Sequence, residues 1–206
     1  MKKTILILML VFASITIANA QTARQLYLGY ENNNQMVAPN NDTANRKKSG
    51  QPGTKVIIER SRNGEVKFVS PKKTFRSGDK IRLRFATNFD GYIRILNVGT
   101  SGRVTMLFPY NGANDRITPS DDFQIPNNND WIVFDDTEGT EMLTIILSKK
   151  PFGDEDDDLS GLNKRATSRD LSIESDDDAT FAVTSEEYLE KPIGFTLRLK
   201  HKRYKP

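Results

Sequence analysis

Along residues 54–148 apolar side chains recur at every second position over short runs, and polar turn residues separate the runs. Ile81, Leu83 and Phe85 alternate with Arg82, Arg84 and Ala86, and Val104, Met106 and Phe108 alternate until Pro109 ends the run. A period of two buries one face of a strand and wets the other. Similar runs predict strands over 55–60, 66–69, 92–98, 131–134 and 142–147. A last one covers 195–199, where Phe195, Leu197 and Leu199 alternate with Thr196, Arg198 and Lys200. Asn63-Gly64, Asp90-Gly91 and Gly99-Thr100-Ser101-Gly102 punctuate them. Asn and Gly tolerate the positive φ that tight hairpins demand. About eight short strands at this spacing predict an all-β fold, an antiparallel sandwich. Ile93, Ile95, Val104, Met106, Val133, Leu143, Ile145 and Leu147 join the alternating residues above in the expected core. No helix longer than two turns is expected.

The flanks lack this rhythm. Residues 21–53 hold Asn32-Asn33-Asn34, Asn40-Asn41 and Gln51-Pro52-Gly53. So little apolar surface does not offset the entropy of ordering, which predicts a disordered lead-in tethered through Tyr27, Leu28 and Tyr30. Before it, Met1-Lys2-Lys3, an apolar stretch over 4–17 and Ala18-Asn19-Ala20 form the three parts of a cleavable secretory signal. The stretch is shorter than the roughly 20 residues that span a bilayer. Cleavage is expected between Ala20 and Gln21, placing the mature chain in the periplasm or outside the cell without a transmembrane segment. The expected organisation is a signal peptide over 1–20, the lead-in over 21–53 and one sandwich domain over 54–206.

Charge changes the picture of that domain. Without Lys2 and Lys3 the chain has 28 basic and 27 acidic groups, a net charge of +1, so overall charge does not imply a nucleic-acid partner. The charges are segregated: residues 46–87 carry a net +10, residues 151–190 a net −10, and residues 191–206 six basic groups and no acidic one. The acidic block includes Asp154-Glu155-Asp156-Asp157-Asp158 and Asp176-Asp177-Asp178, and is expected to be a solvated loop insertion over about 153–180.

Candidate chemistry is sparse. There is no cysteine, hence no disulfide, thiolate metal site or lipid attachment after the cleavage point. Asp154, Asp156 and Asp158 alternate like calcium-loop ligands, but Leu159 and Arg165 stand where such a loop needs Gly and Glu. His201, the one histidine, sits among cations in Lys200-His201-Lys202-Arg203 and makes a poor metal ligand. Neither cofactor nor metal is expected. Carboxylates occur as Asp121-Asp122, Asp135-Asp136, Glu138 and Glu141, but adjacent side chains on a strand or turn point apart, whereas glycosidase chemistry needs two that face each other. Trp131 reads as core, because Val133 continues its face. Phe89 and Tyr110, beside the polar loop with Asp115 and Arg116, are candidate binding residues. Lys200, Lys202 and Arg203 are candidates for an anionic envelope partner.

Ser77-Gly78-Asp79, Ile81-Arg82-Leu83, Asn88-Phe89-Asp90-Gly91-Tyr92, Ile95-Leu96-Asn97, Gly102-Arg103-Val104, Leu107-Phe108-Pro109, Arg116-Ile117, Ile125-Pro126 and Gly139-Thr140-Glu141 follow in that order. Over about residues 70–150 this resembles the bacterial domain-of-unknown-function family 4384. The resemblance implies an accessory β-domain, found in exported proteins and beside caspase-like peptidase or protein-kinase domains, and brings no catalytic residues. The chain departs from the family at Glu138, where Pro is expected, and in the acidic insertion after Pro151. The expected function is a non-enzymatic exported module engaging a protein or cell-envelope component. The alternatives are an envelope-polymer hydrolase using carboxylates over 115–136, and a basic surface for anionic lipid or glycan.

Overall fold

The computed structural model describes residues 21–35, 50–110, 113–119, 122–126, 130–166 and 170–204. The signal peptide, Asn40-Asn41, Asp121 and Lys205 lie outside the described residues. In chain order the elements are α1 (Ala23–Gln35), β1 (Gly53–Arg62), β2 (Glu65–Val69), β3 (Phe75–Arg76), β4 (Lys80–Thr87), β5 (Gly91–Val98), β6 (Val104–Phe108), β7 (Arg116–Ile117) and β8 (Asp122–Ile125). Then come β9 (Ile132–Val133), β10 (Gly139–Ser148), α2 (Leu159–Ala166), β11 (Ser172–Ser175), β12 (Thr180–Val183) and β13 (Ile193–Lys202).

The strands form two sheets, as the alternation predicts. The first runs β11-β12-β1-β4-β8, with β2 also on β1 and β9 also on β4; the second runs β3-β13-β10-β5-β6, with β7 also on β5. All these pairs are antiparallel except β3 with β13. Every strand expected from periodicity is present. The additional ones have two to four residues, too few for a period of two to show. The core lies between the sheets: Val56, Ile58, Ile81, Leu83 and Phe85 face Ile93, Ile95, Leu143, Ile145, Leu147, Leu197 and Leu199. Phe85 stacks on Phe123 at 5.1 Å and meets the edge of Phe108 at 5.3 Å. The Asn63-Gly64 turn between β1 and β2 has φ of 52° and 83°, the positive values this hairpin needs.

Four expectations are corrected. First, the start of the lead-in is helical. Thr22 and Gln25 form a reciprocal cap, Gln25 N–H donating to Thr22 Oγ1 at 3.2 Å and Thr22 N–H to Gln25 Oε1 at 3.0 Å. Ala23, Tyr27 and Tyr30, spaced for one helix face, are all buried. Ala23 and Tyr27 pack on Ala179, Phe181 and Val183, covering the outer face of the first sheet. Asn88 secures this arrangement: its Nδ2 donates to the carbonyls of Tyr27 and Gln51 at 3.0 Å, and its Oδ1 accepts from Gly53 N–H at 2.8 Å.

Second, the acidic insertion is folded. In α2, Leu162 and Ala166 are fully buried against Leu96 and Ile146 on the outer face of the second sheet. Further on, β12 pairs directly with β1. Acidic surroundings hid a short apolar stripe and a four-residue buried strand. Third, Val104 and Met106 point to this outer cluster and not into the sandwich core. Fourth, Val133 is 56% exposed, so it does not continue a buried face, and half-buried Trp131 instead lies 3.7 Å from the Arg82 guanidinium.

Among the described residues no helix is long and apolar enough to cross a membrane.

Candidate functional site

The inward rows of three neighbouring strands all turn polar at one end of the sandwich. On β5 the row runs Ile93, Ile95, Asn97; on β10 it runs Leu147, Ile145, Leu143, Glu141; on β13 it runs Leu197, Leu199, His201. Register aligns them, with Asn97 opposite Leu143, Glu141 opposite Leu199 and His201 opposite Gly139. Between the sheets at this end is a cavity of about 250 Å³. Ile81, Leu107, Ile132, Phe134, Leu143 and Leu199 supply apolar walls; Asn97, Asp135, Glu141 and His201 supply polar groups.

Hydrogen bonds define what these groups have left to offer. Asn97 Nδ2 donates to Glu141 Oε2 at 3.2 Å. A carboxylate only accepts, so this contact orients the amide. Asn97 Oδ1 is then buried without a partner. Asp135 Oδ1 accepts from Thr137 N–H at 2.7 Å. His201 is 3% exposed, and its Nδ1 lies 2.8 Å from the Thr137 carbonyl. That carbonyl demands a donor, which places a proton on Nδ1. Nε2 meets Ser77 Oγ at 3.3 Å, and the ring lies 5.1 Å from Phe134. The histidine therefore ties the end of β13 to the turns before β4 and β10. His201→Leu should lower unfolding stability by about 1–2 kcal/mol, measured by urea denaturation, because both neighbours lose a partner.

The expected site residues fall elsewhere. Phe89 is 3% exposed and belongs to the core, so its side chain is not presented for binding beside the polar loop. Its ring sits so close to Gly91 that a Cβ there would lie 2.5 Å from it and 2.5 Å from the Ser148 carbonyl oxygen. Tyr110 is half-buried, edge-on to Phe108 at 6.0 Å. Asp115 accepts from Ile93 N–H through its carbonyl, and its carboxylate lies 3.7 Å from the Arg94 guanidinium. Arg116 is exposed on β7. None of these lines the cavity.

Lys200 and Lys202 occupy the exposed row of β13 while His201 faces inward, so this part of the basic cluster is strand and not tail. Arg203 follows, with its N–H on Glu138 Oε1 at 2.8 Å and its Nε on the Asp136 carbonyl at 3.1 Å. Glu138, the departure from the family pattern, thus clamps the chain's end. The parallel pairing of β3 with β13 sets Arg76 beside Lys202 and joins the two basic segments on one surface.

Two further carboxylates are engaged. Asp122 pairs with Arg84, and Asp156 accepts from Gly153 N–H at 3.0 Å and from Arg165 at 3.1 Å. Among the described residues no three His, Asp or Glu side chains converge as a metal-ligand set. Leu143 and Leu199 carried a readable core signal. Asn97, Glu141 and His201 were legible only as polar ends of apolar rows.

The fold is a two-sheet antiparallel β-sandwich with a cavity at one end. Residues 74–151, from β3 through β10, match the sequence model of the domain of unknown function family DUF4384. No curated protein and no solved structure matches the chain. Leu199 and His201 lie beyond the matched segment, so the cavity is completed by this chain's own last strand.

Proposed function

We propose that this chain is a non-enzymatic binding module that acts outside the cytoplasm, engages a protein or cell-envelope component, and grips it through the end cavity. The observation that carries this reading is the end cavity, where Asn97, Asp135, Glu141 and His201 set polar groups among apolar walls, with Asn97 Oδ1 buried and unpartnered beside it. Leaving a buried acceptor unpaired costs about 1–3 kcal/mol, and a leucine at this position would avoid that cost. Export is supported by the signal pattern over residues 1–20. The non-enzymatic reading is supported by carboxylates already engaged with arginines, an amide and backbone N–H groups.

The test has two arms. When the full chain is expressed in a bacterial host, the intact mass of the envelope form should correspond to a start at Gln21; retention in the cytoplasm at full length would overturn export. In capture from envelope extracts, an Asn97→Leu variant with native circular dichroism should lose the partner held by the unaltered chain. Equal capture would overturn the cavity as the grip.

The joined basic surface favours a second reading, an anionic envelope surface held by Arg76, Lys202 and Arg203. Binding to vesicles containing anionic lipid should then fall steeply between low and physiological salt. Salt-insensitive binding, or binding unchanged in Arg76→Ala/Lys202→Ala, would overturn it.

A further inference from the structure

We infer that the end cavity takes an ammonium or guanidinium group on an aliphatic stem, the chemistry of a lysine or arginine side chain presented by a partner protein. This rests on the cavity being the binding site. Of the lining groups, Asn97 Nδ2 gives one of its two hydrogens to Glu141, and His201 Nδ1 gives its proton to the Thr137 carbonyl. Acceptor capacity comes from the second oxygen of Glu141 and from the Asp135 carboxylate. An anionic ligand would meet two carboxylates. A purely apolar ligand would leave the Glu141 carboxylate without a counter-charge.

A cation neutralises Glu141, the condition under which a charge is tolerated in a partly buried site. Among the described residues no lysine or arginine lines the cavity to take that place. The walls suit the stem, since Leu107, Leu143, Leu199 and Ile81 present only methyl and methylene groups. Size points the same way. A cavity of about 250 Å³ lies below the roughly 300–1,000 Å³ of pockets for drug-sized ligands, which suits one side chain better than a cofactor.

The probes are n-hexylamine, Nα-acetyl-lysine methylamide, hexanol and hexanoate, added to the isotope-labelled full chain and followed by amide chemical shifts. The two amines should saturably shift Asn97, Glu141 and Leu199 with millimolar affinity. Hexanol should bind about tenfold more weakly, and hexanoate should leave these signals unmoved. Glu141→Gln should weaken amine binding by about tenfold; the comparison among probes on the unaltered chain stands even if that variant misfolds. Hexanol or hexanoate binding as tightly as the amines would overturn the cationic preference. Absence of any shift at these residues would overturn the ligand class. In either case, partner capture that still depends on Asn97 would leave the binding module standing, whereas capture indifferent to Asn97 would remove both.

Discussion

Asp79→Ala is expected to lower unfolding stability by about 3–5 kcal/mol, the range for removing one partner of a buried ion pair. Asp79 is 2% exposed. Its two oxygens accept from Arg62 Nε and an Arg62 terminal nitrogen, both at 2.6 Å, and one also accepts from Arg76 N–H at 2.9 Å. Its backbone exchanges bonds with the adjoining chain, Phe134 N–H reaching the Asp79 carbonyl and Gly78 N–H the Phe134 carbonyl, each at 2.9 Å. Through its carboxylate Asp79 joins β1 to the end of β3, and through its backbone it ties the turn before β4 to the segment after β9. Alanine would leave the Arg62 guanidinium with only the Thr74 carbonyl, at 3.5 Å, and the Arg76 amide without its cap.

The same group makes stability depend on pH. Burial alone would raise the Asp79 pKa, but the Arg62 hydrogen bonds, the Arg76 N–H and the nearby guanidinium charges outweigh it and hold the carboxyl below its usual value. A folded-state pKa below the unfolded one stabilises the protein above the unfolded value, about 3.9, and that contribution is lost as pH falls through the folded value. Urea unfolding of the unaltered chain should therefore weaken on the acid side, while Asp79→Asn should start lower and fall less. Parallel acid profiles for the two proteins would refute this assignment.

Arg94→Ala should release the acidic insertion from the second sheet at a cost of about 2–4 kcal/mol. The side chain is 10% exposed and donates to the Asp156 carbonyl at 2.7 Å. Its guanidinium lies 4.5 Å from the Phe152 ring, and Asp115 and Asp157 lie 3.7 and 3.6 Å away. A charged hydrogen bond is worth about 1.5–3 kcal/mol and a partly desolvated cation–π contact about 1–2. The loss should be local. Hydrogen exchange should accelerate across 152–166 while β10 and β13 keep their protection, and limited proteolysis should cut near Leu159. Unchanged exchange in that segment would show that the burial of Leu162 and Ala166 suffices to hold it. Arg94→Lys should rescue only in part, because an ammonium does not reproduce the planar fork.

The fold was legible where a signal extends over several residues. Ile81-Leu83-Phe85 and Phe195-Leu197-Leu199 each repeat the period of two often enough to identify a strand and its buried face. The element α1 had a signal too, in Thr22-x-x-Gln25 and the Ala23, Tyr27, Tyr30 spacing, but asparagines obscured it. Val133 misled because a single alternating pair does not distinguish which face a two-residue strand turns inward. Phe89 misled for a different reason. Residues beside a turn are often exposed, and only the close approach of Gly91 to β10 carries this ring under the sheet.

By itself the sequence determined the two-sheet β character, the punctuating turns, the segregation of charge and the family match of residues 74–151, because each depends on local periodicity or residue order. Tertiary structure alone decided that the acidic block folds against both sheets, that Arg76 meets Lys202, and that Asn97, Glu141 and His201 gather at one cavity. These outcomes depend on strand register. Pairing sets Asn97 beside Leu143, though 46 positions separate them, and no local pattern encodes that alignment. The cavity exists because three rows that are apolar for most of their length turn polar at the same end.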